Sequence, residues 1–428
     1  MKNFFKIILI LIFTIPNVSQ AGTLFESLQS AYLNNSKLNA ERANMRASKE
    51  EKREAISEFL PSVTISGYRK SQDNIKGNEA STRIKPKEQS ILVEQKIFQG
   101  FGGVANLQKK RKGQQLGEFK LKKVEQEILL DAAKAHTELL LNKKKVNINL
   151  INVDLLERQV ETDQNRLEKG EISLTDLAQS ESSLAGATAA LIAAQNDLLT
   201  SKANFEKIIG KKSATKIQET EESNLILPDS LAQAYKIANL ENPDLQIAIL
   251  EYEQSKLDVT IAGSELSPSA TLSYKIAEQD DVSLTTQERT QETVTATASW
   301  PLFAGGKNAF NYRKFQEIKN QKELLLEDRK KTTETEVTNA WSSYQSSKSV
   351  LDSIRSQVKA AEIANEGITL EYESGSSRTT LEVIQSRSIL LNSRINLASS
   401  ERNFLISQFN LLSTIGRLTA NQLNLNSN

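Results

Sequence analysis

One pattern is written twice along this chain. "SLQSAY" at Ser27–Tyr32 returns as "SLAQAY" at Ser230–Tyr235, and "FLPSVTISGY" at Phe59–Tyr68 returns as "LSPSATLSY" at Leu266–Tyr274. "IFQGFGG" at Ile97–Gly103 returns as "LFAGG" at Leu302–Gly306, and "IIG" at Ile208–Gly210 as "TIG" at Thr414–Gly416. The offsets are 203, 207, 205 and 206 residues. Such constancy marks a tandem repeat whose halves share one architecture. The halves span residues 22–210 and 228–416. A polar linker, 211–227, joins them, and a polar tail, 417–428, reads as peripheral.

Residues 1–21 stand apart. "MKNFFKIILILIFTIPNVSQA" opens on Lys2 and Lys6, runs apolar from Ile7 to Ile15, and ends with small residues at Ser19 and Ala21. This is the pattern of a cleaved secretory signal; the apolar run is short for a membrane span. Without it, 52 basic face 53 acidic residues, a balance that gives no reason to expect nucleic acid. The chain has no Cys. Disulfides, thiolate metal sites and a cysteine-linked lipid anchor are therefore excluded.

Each half reads as helix, two strands, long helix, long helix. The opening helices cover 24–58, before Pro61, and 229–263, before Pro268, with Asn242–Pro243 interrupting the second near its start. Four segments then switch to period two. Val63, Ile65 and Gly67 share a face; so do Ile91, Val93 and Ile97; Leu272, Tyr274 and Ile276; and Val294, Ala296, Ala298, Trp300 and Leu302. Thr, Ser, Glu and Lys occupy the other faces. A transmembrane barrel strand has this pattern, though a half-buried soluble sheet shares it. Single-chain barrels begin at about eight strands, and an open edge is not tolerated in lipid. Four strands in a membrane therefore need partner chains. The stretches between paired strands, around Arg69–Gln89 and Ala277–Glu292, are polar and suit surface loops.

The long helices run from about Gly103 to Lys169 and from about Lys307 to Tyr372. Some 65 residues at 1.5 Å each reach about 100 Å. The returning helices keep a seven-residue period. Leu177, Leu184, Leu191, Leu198 and Phe205 form one row, and Val383, Leu390, Leu397, Phe404 and Leu411 its counterpart. Three residues on come mostly small side chains: Ser180, Ala187, Ala194 and Ser201, then Ser386, Ser393, Ser400 and Ser407. Leu351, Ile354, Val358, Ala361 and Ile368 mark the outgoing helix. This is coiled-coil spacing with room for close backbones.

With "ISEFLPSVTISG", "VEQKIFQGFGG", "TASWPLFAGGK" and "YESGSSRTTLEVIQSR" in tandem, the chain resembles the TolC family of outer-membrane efflux proteins, from Leu24 to Gly416. The resemblance implies a fold that is mainly α with membrane β-strands. It implies a homotrimer in which a twelve-stranded β-barrel continues into a twelve-helix periplasmic tunnel. It further implies a non-enzymatic exit duct in the outer membrane, in contact with its lipid. The partners implied are a periplasmic adaptor and an inner-membrane pump of the ABC, RND or MFS class, in efflux or type I secretion; no cofactor is implied. For the periplasmic gate, Glu382 matches an acidic ring position and Gln385 falls where a second Asp is common. Tyr372 and Arg378 match link residues, with Thr175 and Asp176 as their partners on the neighbouring hairpin. Gly170 and Gly375 permit the helix-to-helix turns.

Other candidates carry less. His136, the only histidine, lies in a helix and reads as structural. "KKRK" at 109–112 reads as a solvated face near lipid headgroups, and "GFGG" as a strand-to-helix bend without the rest of a phosphate-loop motif. A periplasmic adaptor or coiled-coil scaffold is the alternative reading, but it leaves the paired strands unexplained. A secreted hydrolase would need a convergent polar pocket, and no compact carboxylate constellation stands out.

Overall fold

Pro61 and Pro268 mark where helix gives way to strand in each repeat. The computed structural model describes residues 22–74, 82–211, 225–283, 286–374 and 378–425. The signal-like segment, most of the linker and Gly375 lie outside them. The first half runs α1 (Leu24–Asn34), α2 (Ser36–Ser57), β1 (Ser62–Arg69), β2 (Gln72–Asn74), β3 (Thr82–Ile84), β4 (Lys87–Gln99), α3 (Gly102–Glu168) and α4 (Leu174–Ile209). The second runs α5 (Leu231–Glu241), α6 (Pro243–Ser264), β5 (Ser269–Ser283), β6 (Thr286–Ser299), α7 (Lys307–Glu373) and α8 (Thr380–Thr414).

The single opening helix expected over 24–58 is in fact two. Asn35 leaves the helical region at ψ 124°, and its side chain caps α2 by accepting from the Lys37 and Leu38 amides. Asn242 caps α6 in the same way, ahead of Pro243. Each Asn also donates across the repeat. Asn35 Nδ2 reaches Ile208 O at 3.1 Å, and Asn242 Nδ2 reaches Thr414 O at 2.8 Å. The first break has no proline to announce it; a capping Asn and a long-range bond make it.

The main sheet is antiparallel, in the order β1-β4-β5-β6. Register sets its faces. Val63 opposes Val93, and Ile65 opposes Ile91; Val93 opposes Tyr274, and Ile91 opposes Ile276; Leu272 opposes Ala296, and Tyr274 opposes Val294. One apolar face therefore crosses all four strands. It is open to the surroundings, with Ile65 78% and Val294 70% exposed. From Ala270 to Ile276 it spans roughly 20 Å at about 3.3 Å per residue, close to the apolar band of a membrane barrel. Three expectations need correction. A bulge between Lys96 and Phe98 shifts parity, so Phe98, not Ile97, pairs with Ala270. The last strand stops at Ser299, since Pro301 has no amide to donate; Trp300 and Leu302 lie beyond it, and the Trp300 indole donates to Leu266 O at 3.0 Å. The polar stretch after Ala277 continues as paired strand through Ser283 and from Thr286, and the other polar stretch holds the β2–β3 ribbon.

At 67 residues each, α3 and α7 are about 100 Å long. Gly305 and Gly306, both at positive φ, turn the strand into α7. Near the sheet, α3 packs with α2 and α6, and α7 with α6; beyond mid-length α3 packs with α4 and α8, and α7 with α8. No helix among the described residues is long and apolar enough to cross a membrane. The basic run at 109–112 is not a free face. Lys109 pairs with Asp258, Lys110 with Glu51 and Lys112 with Glu253, zipping α3 to α2 and α6.

The apolar core is a belt at mid-length. Leu28, Leu129, Ala132, Leu139, Phe205, Val337, Phe409 and Leu411 meet there. The end of the chain joins this belt instead of lying at the periphery. Leu418 and Ala420 are buried, Arg417 pairs with Glu241 at 2.7 Å, and Ala420 N donates to Glu125 at 2.6 Å. Gly416, at φ 87°, lies so close to Glu241 O that a Cβ has no room.

His136 is fully buried in the belt. Its Nδ1 lies 2.8 Å from Ser27 Oγ, whose own proton goes to Thr23 O at 3.0 Å. Nε2 has no partner among the described residues. Burial pushes the pKa down to about 4 from 6.5. The neutral ring thus contributes stability that is complete above pH 6.5 and lost as pH falls through about 4, up to about 3 kcal/mol. Denaturant titrations from pH 7 to 4 are expected to show this loss in the wild type and a flatter profile in His136→Leu. Parallel profiles would remove His136 as the cause.

Candidate functional site at the helical turns

Farthest from the sheet, the two long helices turn back. α3 ends at Gly170, φ 71°, where the Gly170 and Glu171 amides return to Leu167 O and Arg166 O at 2.9 Å. A capping box opens α4: the Asp176 carboxylate accepts from Ser173 N at 3.0 Å and Ser173 Oγ at 2.7 Å. These two bonds hold the Asp176 carboxyl below its usual range, the hydroxyl contributing most. α8 opens on a second capping box, with Glu382 accepting from Thr379 N at 2.8 Å. Arg378 adds a bond to Glu382 at 2.9 Å and another to Glu371 at 2.6 Å. The Thr379 amide, then Arg378, hold the Glu382 carboxyl low. Asp176 and Glu382 thus play the same local part in the two repeats.

A buried polar node lies just inside these turns. Asp163 of α3 is fully buried. It accepts from Ser180 Oγ at 2.5 Å, Gln159 Nε2 at 2.9 Å and the Tyr372 hydroxyl at 3.1 Å. Tyr372 also meets Thr380 Oγ1 at 3.0 Å, and the Arg166 guanidinium lies 4.7 Å from its ring centre. Burial raises the Tyr372 pKa, so the phenol stays a donor. Arg387 lies close by; burial lowers its pKa, against the raising effects of Glu373 and Asp163. One carboxylate therefore binds α3, α4 and α7 together, with Thr380 of α8 one bond further.

The residues named from sequence divide as follows. Within one chain, Tyr372 bonds Asp163 and not Asp176, and Arg378 bonds Glu371 and Glu382 and not Thr175. Thr175 and Gln385 are exposed. Gly375 lies outside the described residues. Asp163, Gln159, Thr380, Arg166, Arg387 and Glu371 were not singled out by the sequence. No group of three or more His, Asp and Glu among the described residues could hold a metal ion.

The sequence profile of the outer membrane efflux protein family matches residues 27–211 and again 234–417. This chain belongs to that family. Among curated relatives of this efflux protein, the outer membrane efflux protein BepC of Brucella suis is 26% identical over 404 residues, covering 94% of this chain and 87% of BepC. Outer membrane protein TolC of Escherichia coli is 23% identical over 438 residues, covering 95% and 85%. In fold it matches the Campylobacter jejuni CmeC outer membrane channel with a TM-score of 0.83 at 13% identity, over 92% of this chain and 86% of that one. The efflux protein therefore has a TolC-like fold and resides in the outer membrane, with a large periplasmic part.

Replacing the Asp163 carboxylate should loosen the turn end selectively. Asp163→Asn removes the charge from three buried donors, a loss of about 1.5–3 kcal/mol in local stability. Hydrogen exchange should speed up around Ser180 and Tyr372 and stay unchanged in the belt around Leu129. Uniform acceleration would mark a global effect instead.

Proposed function

We propose that this efflux protein is the passive exit duct of a tripartite efflux or type I secretion assembly, and not an enzyme. It receives substrate from a periplasmic adaptor and an inner-membrane pump, which supplies the energy. The observation carrying this reading is the four-stranded sheet with an exposed apolar face and two unpaired edges, set on helices of about 100 Å. A sheet of that kind in lipid must close through partner chains. Three copies, as the family likeness implies, give twelve strands. Four helices in each cross-section of one chain give twelve around the tunnel.

Closure is testable because the chain has no native cysteine. Single cysteines introduced along β1 and along β6, combined in pairs and oxidised in outer membranes, should yield a covalent ladder ending at trimer. A ladder absent at every register would sink the shared-barrel reading.

We place the gate at the turn end. Tyr372, held by Asp163, and Arg378, held by Glu371 and Glu382, keep the α7–α8 turn against the α3–α4 turn. Thr175, Asp176 and Gln385 face neighbouring hairpins, and Glu382 lines the constriction. The Tyr372→Phe, Arg378→Gln protein should conduct several-fold more in planar bilayers than wild type, since each lost bond is worth about 1 kcal/mol. Equal conductance would rule out this gate.

A further inference from the structure

The two faces of the main sheet contrast in chemistry, and the register leaves no doubt about which residues share each. Ile65, Ile91, Val93, Leu272 and Val294 form the exposed apolar face. A closed membrane sheet must turn that face to lipid. The opposite face carries Ser66, Ser90, Ser273 and Thr295, and with them the charged Glu88, Glu94, Lys96, Lys275 and Arg289. Glu88 is only 8% exposed. Lys275 Nζ of β5 donates to it at 2.6 Å, and Gln279 Nε2 donates at 2.9 Å. Tyr68 of β1 opposes Glu88 in register. One step toward the helices, the Ser66 and Ser90 hydroxyls bond across the same strands at 2.9 Å.

We infer that Glu88 and Lys275 form a charge-compensated belt on the inner wall of the barrel, and that Lys275 sets ion selectivity there by cancelling Glu88. The inference rests on the reading of this polar face as channel lining. Every chain places its pair at the same height. Losing Lys275 therefore leaves a ring of unpaired carboxylates, which concentrates cations; losing Glu88 leaves a ring of ammonium groups, which concentrates anions. The field of a contacting pair of opposite charges falls off faster than that of a lone charge, so the intact pair adds little bias of its own, and Arg289, opposite Gln279 on β6, is a background common to every variant.

The test uses full-length protein in planar bilayers under a KCl gradient. The background is Tyr372→Phe, Arg378→Gln, so that the barrel is a measurable part of the resistance. Lys275→Gln should raise the potassium-to-chloride permeability ratio by at least about twofold, Glu88→Gln should lower it comparably, and the double variant should return to the parent value. Lys275→Arg should hold that value. If Lys275→Gln does not assemble, Lys275→Cys read before and after a cationic thiol reagent makes the same comparison within one folded molecule. The inference is overturned if the single variants shift the ratio in one direction, if neither shifts it, or if the double variant fails to return. The lining itself is checked separately. A charged thiol reagent should change conductance through Ser273→Cys and not through Val294→Cys. Silence at Ser273, or an effect at Val294 alone, would mean that the face assignment is wrong, whatever the selectivity data say.

Discussion

An unpaired strand edge is the constraint on which the rest of the molecule depends. β1 and β6 bound the sheet, and each has a neighbour on one side only. In water such an edge is a modest liability. In hydrocarbon, each unpaired amide or carbonyl costs several kcal/mol, so eight or more residues of edge cannot be left open. A sheet of this kind in lipid calls for partner strands on backbone chemistry alone, which is the ground for the shared barrel we propose. The helices inherit that geometry. They leave the sheet through short glycine turns, so their spacing at the top is set by the strands, and one chain supplies only an arc of wall.

Long, thin helices on an arc need lateral fastening, and the chain solves this differently along its length. Near the sheet, lysines of α3 reach carboxylates of α2 and α6. Such partly exposed pairs are worth little singly, but they fix which helix lies beside which. At mid-length, an apolar belt takes over, closed by the chain end and stitched by Asn35 and Asn242. Beyond it, the seam narrows to serine and alanine. Ser180, Ala187, Ala194 and Ser201 are all buried, as are Ser386, Ser393, Ser400 and Ser407. Small side chains bring backbones together and bury little apolar area, so this half of the molecule is held closely but not strongly.

The repeat, the strand faces and the helix lengths were legible because each rests on a period longer than the local noise. What was missed had either no local signal or one read at the wrong place. Asn35 sits in "LNNSK" with nothing to distinguish it from a mid-helix polar residue; only its bond to Ile208, far along the chain, makes it a break. The tail looked peripheral because "LTANQLNLNSN" is polar on average, yet Leu418, Ala420 and Leu425 within it are buried. Asp163 could have been found. Asn142, Asn149, Leu156 and Asp163 are seven apart and all buried, so the period applied to the returning helices also runs through α3. A carboxylate in that row must find donors, and Tyr372 ends a matching row through Val337, Leu351 and Val358.

That polar ending suits the gate we propose at the turn end. An apolar row separated from its neighbour exposes surface worth about 1.5–3 kcal/mol for each large side chain, a penalty that water does not relieve. A hydrogen-bonded node behaves differently: its bonds to the Asp163 carboxylate are worth about 1.5–3 kcal/mol each, but once parted, Asp163, Tyr372, Ser180 and Thr380 can each be satisfied by water. Kept dry, the node selects a single closed geometry, because a misplaced donor leaves a buried charge unsatisfied. Once wet, its donors and acceptors take water in place of one another. A heptad row that ends in Asp163 and Tyr372, and not in leucine, therefore combines a directional closed arrangement with groups that water can satisfy after it is left, while the apolar belt at mid-length has no such substitute.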